Sequence, residues 1–267
     1  MKFTKMHGLG NDYLYVFSQT EPRNPQNLAV KLSDRHFGAG SDGMIWILPS
    51  AKADYKMRIF NADGSEAMMC GNGIRCVGKY VYDKGYTDKT HLTIETLSGI
   101  KMLALTVEKG KVRRVSVEMG KAAVRPSQTM TVCGQRVECI PVSMGNPHAV
   151  VFLPEVDSLD LEKIGPSFEH HELFPDRVNT EFVRVIDDHT LQMRVWERGS
   201  GETFACGTGT CATVVAAVLN GFCKKEEEIL VHLRGGDLRI IYHEDDTVTM
   251  IGPAIYVFEG KMEYPNL

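Results

Sequence analysis

The chain has 267 residues, 43% of them apolar and 24% charged, with a net charge of −4; this balance suits a globular protein of one large domain or two smaller ones. No basic run stands out and no apolar stretch approaches the roughly 18 residues that span a bilayer, so neither nucleic acid nor a membrane is expected as a partner. Seven cysteines, an odd number without a CxxC pair, argue for free thiols in a reducing cytoplasm, against a disulfide framework and against a structural metal site. The polar, Gly-rich start after Met1-Lys2-Phe3-Thr4-Lys5 does not read as a signal peptide.

In chain order, the first clear element is a helix over Asn72 to Tyr82, with Ile74, Val77, Tyr80 and Val81 at helical spacing. Gly85 follows as a C′ residue. Strand-like runs come next at Leu92 to Thr96, Lys101 to Val107 and Val112 to Glu118, separated by Ser98-Gly99 and Lys109-Gly110. Met119 to Arg125 reads as a join, and Leu153 to Arg177, with Pro154, Pro166 and Pro175, as a longer irregular excursion. A second helix covers Cys211 to Leu219 and is apolar almost all round, the pattern of a buried helix. It ends at Gly221, and strands are expected at Ile229 to Leu233, Leu238 to His243, Thr247 to Ile251 and Ala254 to Glu259.

These two runs are copies of one another. Glu66-Ala67-Met68-Met69-Cys70-Gly71-Asn72-Gly73 and Glu202-Thr203-Phe204-Ala205-Cys206-Gly207-Thr208-Gly209 both read E-x-x-x-C-G-x-G, at an offset of 206 − 70 = 136. Gly85 and Gly221 keep that offset, as do Gly99 and Gly235, while Gly10-Asn11 and Gly145-Asn146 stand 135 apart. A constant offset near half the chain length points to a duplicated and fused domain. The expected class is α+β: two pseudo-symmetric domains, 1–118 and 119–253, each a curved, mostly antiparallel sheet or barrel wrapped around a central apolar helix. Whether 254–267 returns to complete the first domain is left open by the pattern.

In each copy the cysteine stands at a helix start, where unpaired N–H groups and the positive end of the helix dipole favour a thiolate. The glycines let backbone N–H groups approach an anion such as a carboxylate. Two such units facing each other across a cleft would set one thiol on each face of a substrate carbon. That arrangement suits inversion of an amino-acid α-carbon, with one thiolate as base, the other thiol as acid, and helix N-termini stabilising charge on the α-carboxylate. A lone cysteine is most often a buried, inert residue; two at equivalent glycine-flanked helix starts call for a shared cause. Cys133, Cys139 and Cys223 lack that setting and read as structural or surface thiols, and Cys76 and Cys211 as core. The glycine loops match neither GxxxxGK[ST] nor a G-x-G-x-x-G dinucleotide fingerprint, which leaves a phosphate cradle little support.

At these residues the sequence resembles the diaminopimelate epimerase family. The resemblance rests on His7-Gly8-Leu9-Gly10-Asn11-Asp12-Tyr13, Asp34 to Gly43, Phe60-Asn61-Ala62-Asp63-Gly64-Ser65-Glu66, Met69 to Cys76, Met144-Gly145-Asn146-Pro147-His148, Arg177 to Phe182, Glu197-Arg198-Gly199 and Gly201 to Gly209. It implies interconversion of LL- and meso-diaminopimelate for lysine and peptidoglycan precursors, by a cytoplasmic homodimer without a cofactor. Carried over by motif, Cys70 and Cys206 are the acid–base pair. Gly71, Asn72, Gly207 and Thr208 offer backbone donors to the reacting carboxylate. Asn11, Asn61, Asn146, Asn179 and Arg198 hold substrate, and Glu197 and His148 lie beside the reacting groups. A bidentate carboxylate partner is natural for Arg198, and Asn suits a zwitterion. Trp196 stands where the family more often has tyrosine, and Gly43 where some members have glutamine. The competing readings are a proline- or hydroxyproline-racemase-like enzyme, which shares the duplicated cysteine-helix plan, and a non-catalytic anion-binding module.

Overall fold

A computed structural model describes residues 1–263. The chain is mixed α+β and divides into two compact units, Met1–Val117 with the segment from Gly252 onward, and Glu118–Ile251.

The first unit runs β1 (Lys2–Gly8), β2 (Asn11–Phe17), α1 (Pro25–Ser33), β3 (Gly43–Leu48), β4 (Tyr55–Asn61), β5 (Glu66–Ala67), α2 (Gly71–Asp83), β6 (His91–Thr96), β7 (Gly99–Glu108) and β8 (Lys111–Lys121), whose end passes into the second unit. After the short β9 (Ala123–Val124) and β10 (Gln128–Val132), the second unit repeats the plan. It runs β11 (Gln135–Ser143), β12 (Pro147–Phe152), α3 (Leu161–Glu169), β13 (Asn179–Asp187), β14 (Thr190–Glu197), β15 (Gly201–Thr203), α4 (Gly207–Leu219), β16 (Glu228–Leu233), β17 (Gly236–Tyr242) and β18 (Thr247–Gly252). The last strand, β19 (Ile255–Lys261), pairs antiparallel with β1. Residues 264–267 of the expected segment 254–267 lie outside the described residues.

Pairing is duplicated as well as element order. In the first unit β1·β2, β3·β4, β4·β5, β6·β7 and β7·β8 are antiparallel, while β2·β3 and β4·β6 are parallel. The second unit has the same sequence of pairings from β11·β12 to β17·β18, again parallel at β12·β13 and β14·β16. Register carries the duplication to single residues: Tyr13 lies opposite Gly43 as His148 lies opposite Asn179, and Ile45 opposite Ile59 as Glu181 opposite Val195.

Each sheet wraps a helix. Helix α2 packs against β1, β2 and β7, and α4 against β11, β12, β13, β14 and β17. Ile74, Val77 and Val81 of α2, and Val214, Val215, Ala216 and Ala217 of α4, are wholly buried. Both helices end in the same Schellman closure. Tyr86 N–H reaches Val81 O and Phe222 N–H reaches Ala217 O, with Gly85 and Gly221 at φ 76° and 75°. Both also begin earlier than the apolar periodicity suggests. Their first turns hold the motif glycines, Gly71 and Gly73 in one, Gly207 and Gly209 in the other, and the cysteines are the N-caps. Hydrophobic spacing is silent where glycine occupies the buried face.

One helix departs from expectation. The expected irregular excursion at 153–177 contains α3, with Pro166 inside it. The proline removes one backbone hydrogen bond, and burial of Leu161 and Phe168 against Phe182 and Trp196 offsets the loss. Asp160 caps its start through Lys163 N–H. Gly165 lets α3 lie directly on the Trp196 ring, since any Cβ there would overlap the indole. Helix α1 carries no earlier expectation; it is a short helix opened by Pro25, with Leu28, Ala29 and Leu32 buried.

Ile74 is 0% exposed on the buried side of α2. Ile74→Ala therefore lowers stability by about 2–5 kcal/mol in urea unfolding; a loss below about 1 kcal/mol contradicts a central, close-packed α2.

Candidate active site

The approach to each cysteine is built the same way. Glu66 and Glu202, which open the repeated motif, each accept a two-pronged hydrogen bond from an arginine on the preceding strand. Arg58 Nε and Nη2 lie 2.7 and 2.9 Å from Glu66, and Arg194 Nε and Nη2 lie 2.8 and 3.0 Å from Glu202. These charge-assisted forks fasten β5 to β4 and β15 to β14, and so hold the loop that delivers each cysteine to its helix.

In the first unit Cys70 is the extended N-cap of α2 (φ −139°, ψ 116°), and its Sγ accepts from Gly73 N–H at 3.3 Å. The first intrahelical bond is Ile74 N–H to Cys70 O, so the N–H groups of Gly71 and Asn72 lie in the helix's open first turn. Asn11 Oδ1 is 3.3 Å from Cys70 Sγ, and Asn11 Nδ2 donates to Asp42 at 2.9 Å. Asn61 Oδ1 lies 3.5 Å from the Tyr13 hydroxyl, and Asn61 Nδ2 donates to Ser65 Oγ. Burial, then the neighbouring Cys70, pushes the Tyr13 hydroxyl well above its ordinary pKa, so it stays protonated. Asn72 turns its side chain inward, where Oδ1 accepts from Arg75 Nη2 at 2.9 Å. Arg75 is completely buried and also donates to Gly71 O and Pro253 O, both at 3.1 Å. The start of α2 is thereby tied to the segment that leads into β19.

In the second unit Cys206 occupies the matching N-cap (φ −114°, ψ 111°), with its Sγ 3.5 Å from Thr208 Oγ1. Asn146 Nδ2 donates to Thr208 Oγ1 at 3.2 Å. Thr210 N–H and Oγ1 both close on Cys206 O, which leaves Gly207 and Thr208 in the open first turn. Glu197 accepts from Thr203 Oγ1 at 2.5 Å and lies near Cys206. Burial raises the Glu197 pKa; the bond from Thr203 and the neighbouring Cys206 oppose this without cancelling it. Burial, followed by the charges of Glu197 and Glu181, raises the Cys206 thiol well above its ordinary value, against the neighbouring Thr208 hydroxyl and Gly209 N–H. His148 Nδ1 lies 2.7 Å from Glu181 Oε1, with both side chains fully buried. Asn179 Oδ1 accepts from Arg198 N–H at 2.9 Å, and the exposed Arg198 guanidinium donates to Asp176 O at 3.0 Å.

Within the first unit, therefore, Asn11 meets Cys70, Gly71 and Asn72 follow it in the helix, and Asn61 meets Tyr13. Within the second, Thr208 meets Cys206 and is met in turn by Asn146, Glu197 lies near the sulfur, His148 is bound to Glu181, and Asn179 fastens the turn that carries Arg198. That turn is anchored again through Trp196, whose Nε1 donates to Glu169 Oε2 at 2.8 Å while Glu169 Oε1 accepts from Gly199 N–H. Tyr13, Arg75 and Glu181 escaped sequence reasoning as site residues. The signal that exposes Glu181 is the repeat itself, because the same register holds Ile45 in the first copy. Cys76 and Cys211 are wholly buried, Cys139 and Cys223 nearly so, and Cys133 is exposed.

Gly73 and Gly209 are held glycine by different neighbours. A Cβ at Gly73 would come 2.6 Å from Ile45 Cδ1, the end of a flexible side chain; at Gly209 it would overlap the Glu181 carboxylate, which His148 holds in place. Gly209→Ala accordingly costs more stability than Gly73→Ala, on the order of 1–3 kcal/mol, in paired urea unfolding. Equal costs contradict the fixed position of Glu181.

A family model described as "Diaminopimelate epimerase" matches residues 3–124 and 140–257. Curated proteins of that name include one from Acetivibrio thermocellus, 54% identical over 283 residues and covering 100% of both chains. Another, from Methanococcus maripaludis, is 53% identical, with 98% of this chain and 100% of its own covered. Among solved structures, a PhzF-family phenazine biosynthesis protein from Bacillus anthracis superposes with TM-score 0.78 at 17% identity, covering 99% of each chain. A probable proline racemase from Agrobacterium radiobacter gives TM-score 0.77 at 16% identity, covering 99% of this chain and 93% of its own. The structural likenesses establish the shared fold, and the full-length matches establish the rest: this chain belongs to the diaminopimelate epimerase family.

Proposed function

We propose that this chain is a diaminopimelate epimerase that interconverts LL- and meso-diaminopimelate without a cofactor, using Cys70 and Cys206 as its acid–base pair. The observation that carries the reading is the repeated N-cap: two cysteines at equivalent helix starts, each followed by two residues in an open first turn. The N–H groups of Gly71 and Asn72, and of Gly207 and Thr208, are the donors for the α-carboxylate, where they stabilise negative charge as the α-proton leaves. One thiolate removes the α-proton and the other thiol returns a proton to the opposite face; reversing the reaction exchanges their roles. Asn11, beside Cys70, and Glu197, beside Cys206, are placed to meet the reacting centre. Asn61, Asn146 and Asn179 offer paired donors and acceptors to the zwitterion, and Arg198 carries the exposed cation for a carboxylate. His148 supports this cluster from within the second unit.

All seven cysteines are free, which fits a reducing cytoplasm, and no described helix is long and apolar enough to cross a membrane. We take the working form to be a homodimer, as the family resemblance implies; light scattering at twice the 29.8 kDa chain mass supports it, and a monomer overturns it.

Incubation with LL-diaminopimelate in D2O yields meso product carrying α-deuterium. Cys70→Ala and Cys206→Ala each abolish epimerisation, and Arg198→Met raises KM with a smaller effect on kcat. Full turnover by either cysteine variant, or α-deuterium exchange into proline in place of diaminopimelate, contradicts the proposal.

A further inference from the structure

The peptide unit that joins Gly71 to Asn72 has two ends: the Asn72 N–H, which opens the first turn of α2, and the Gly71 carbonyl. That carbonyl accepts from Arg75 Nη1 at 3.1 Å. Nη2 of the same guanidinium donates to Asn72 Oδ1 at 2.9 Å, and Nε donates to Pro253 O at 3.1 Å. Arg75 is 0% exposed and belongs, with Gly71, Asn72 and Pro253, to the first unit. Strand β1 ends on Gly8, where a Cβ would come 2.9 Å from Arg75 Nη2 and 3.1 Å from Asn72 O, so the chain leaves room there for the guanidinium. At the repeat offset Arg75 corresponds to Cys211, and the α4 start is closed instead by the Thr210 hydroxyl on Cys206 O. Burying a guanidinium is costly, and packing alone would be served better by an alkyl chain.

Resting on the proposed two-thiol reaction, we propose that Arg75 is a positioning residue beside Cys70: its guanidinium holds the Gly71–Asn72 peptide from behind and aims the Asn72 N–H at the substrate carboxylate. The bond at Gly71 O fixes the plane of that peptide and polarises it, so the N–H at its other end becomes a stronger donor. The bond at Asn72 Oδ1 turns the amide inward. An asparagine in a first turn otherwise folds its oxygen onto nearby backbone N–H groups, where it would compete with a carboxylate. The bond to Pro253 O anchors the clamp outside the helix. Arginine keeps its charge at every working pH, so a fixed cation reinforces the positive end of α2. Asp42, which accepts from Asn11 Nδ2, is paired with Arg35 at 2.9 Å. Both stay in place when Arg75 is replaced, so a substitution there reads the contribution of Arg75 itself.

The test compares anionic iodoacetate with neutral iodoacetamide in the substrate-free protein, with each cysteine read separately from peptide masses. Both reagents attack the same thiolate, so the ratio of their rates at one cysteine cancels its protonation and reports the pull on a carboxylate. A role in packing alone moves both rates together and leaves the ratio unchanged. In the unaltered protein the ratio at Cys70 exceeds that at the exposed Cys133 by about threefold or more. Arg75→Met lowers the Cys70 ratio by about threefold or more and leaves the Cys206 ratio unchanged. Arg75→Lys, which keeps the cation without the fork, falls between the two. The proposal is overturned if the unaltered protein shows no excess at Cys70, if Arg75→Met leaves the Cys70 ratio unmoved or lowers the Cys206 ratio as far, or if Arg75→Lys keeps the full ratio. Because labelling uses no substrate, a protein that shows these ratios yet fails to epimerise diaminopimelate refutes the functional reading and leaves this one standing. An active epimerase without them refutes this one alone.

Discussion

A sulfur atom seated on the first turn of a helix is the constraint around which each half of this protein is arranged. To put it there, the residue before the helix must be extended, the first turn must be free of side chains that would crowd the sulfur or the sheet, and the incoming loop must be fastened. Cys70 and Cys206 adopt the extended cap conformation. Gly73 and Gly209 clear the turn against Ile45 and Glu181. The Arg58–Glu66 and Arg194–Glu202 forks fasten the loops. Behind each turn runs a helix whose apolar side chains the sheet encloses, so thiol placement draws on burial of the whole unit.

Duplication gives two such seats at little cost in invention, and divergence makes them different. Divergence left the Arg–Glu forks, the glycine closures at Gly85 and Gly221 and the strand register in place. It altered the side chains that point from the sheet toward the helix start. The buried His148–Glu181 pair, whose Nε2 and Oε2 have no hydrogen-bond partner among the described residues, stands where the first unit has Tyr13 and Ile45.

Much of this was legible in the sequence, for reasons that differ by element. The repeat offset is a direct record of duplication, and the cysteine–glycine motif together with glycine C′ residues brackets α2 and α4. Alternating strands after each helix follow from side-chain periodicity. Helix α3 was hidden because Pro166 and Gly165 are helix breakers whose local preferences are overridden by packing on Trp196 and Phe182. Helix α1 is too short for periodicity to speak strongly. The buried Glu181 was hidden for another reason: it sits inside a strand, where an acidic residue ordinarily faces water. Only its equivalence to the buried Ile45 of the sister copy, each opposite its counterpart Val195 or Ile59, reveals that it faces inward.

Substrate protection tests the proposed two-thiol reaction most directly, because a substrate that engages both helix-start thiols shields both. Labelling with a thiol reagent, with and without saturating diaminopimelate, reads Cys70 and Cys206 separately, and the exposed Cys133 serves as internal reference. The account predicts that substrate slows labelling of Cys70 and Cys206 together and leaves Cys133 unchanged. Protection of one of the pair alone, or of neither, would contradict it.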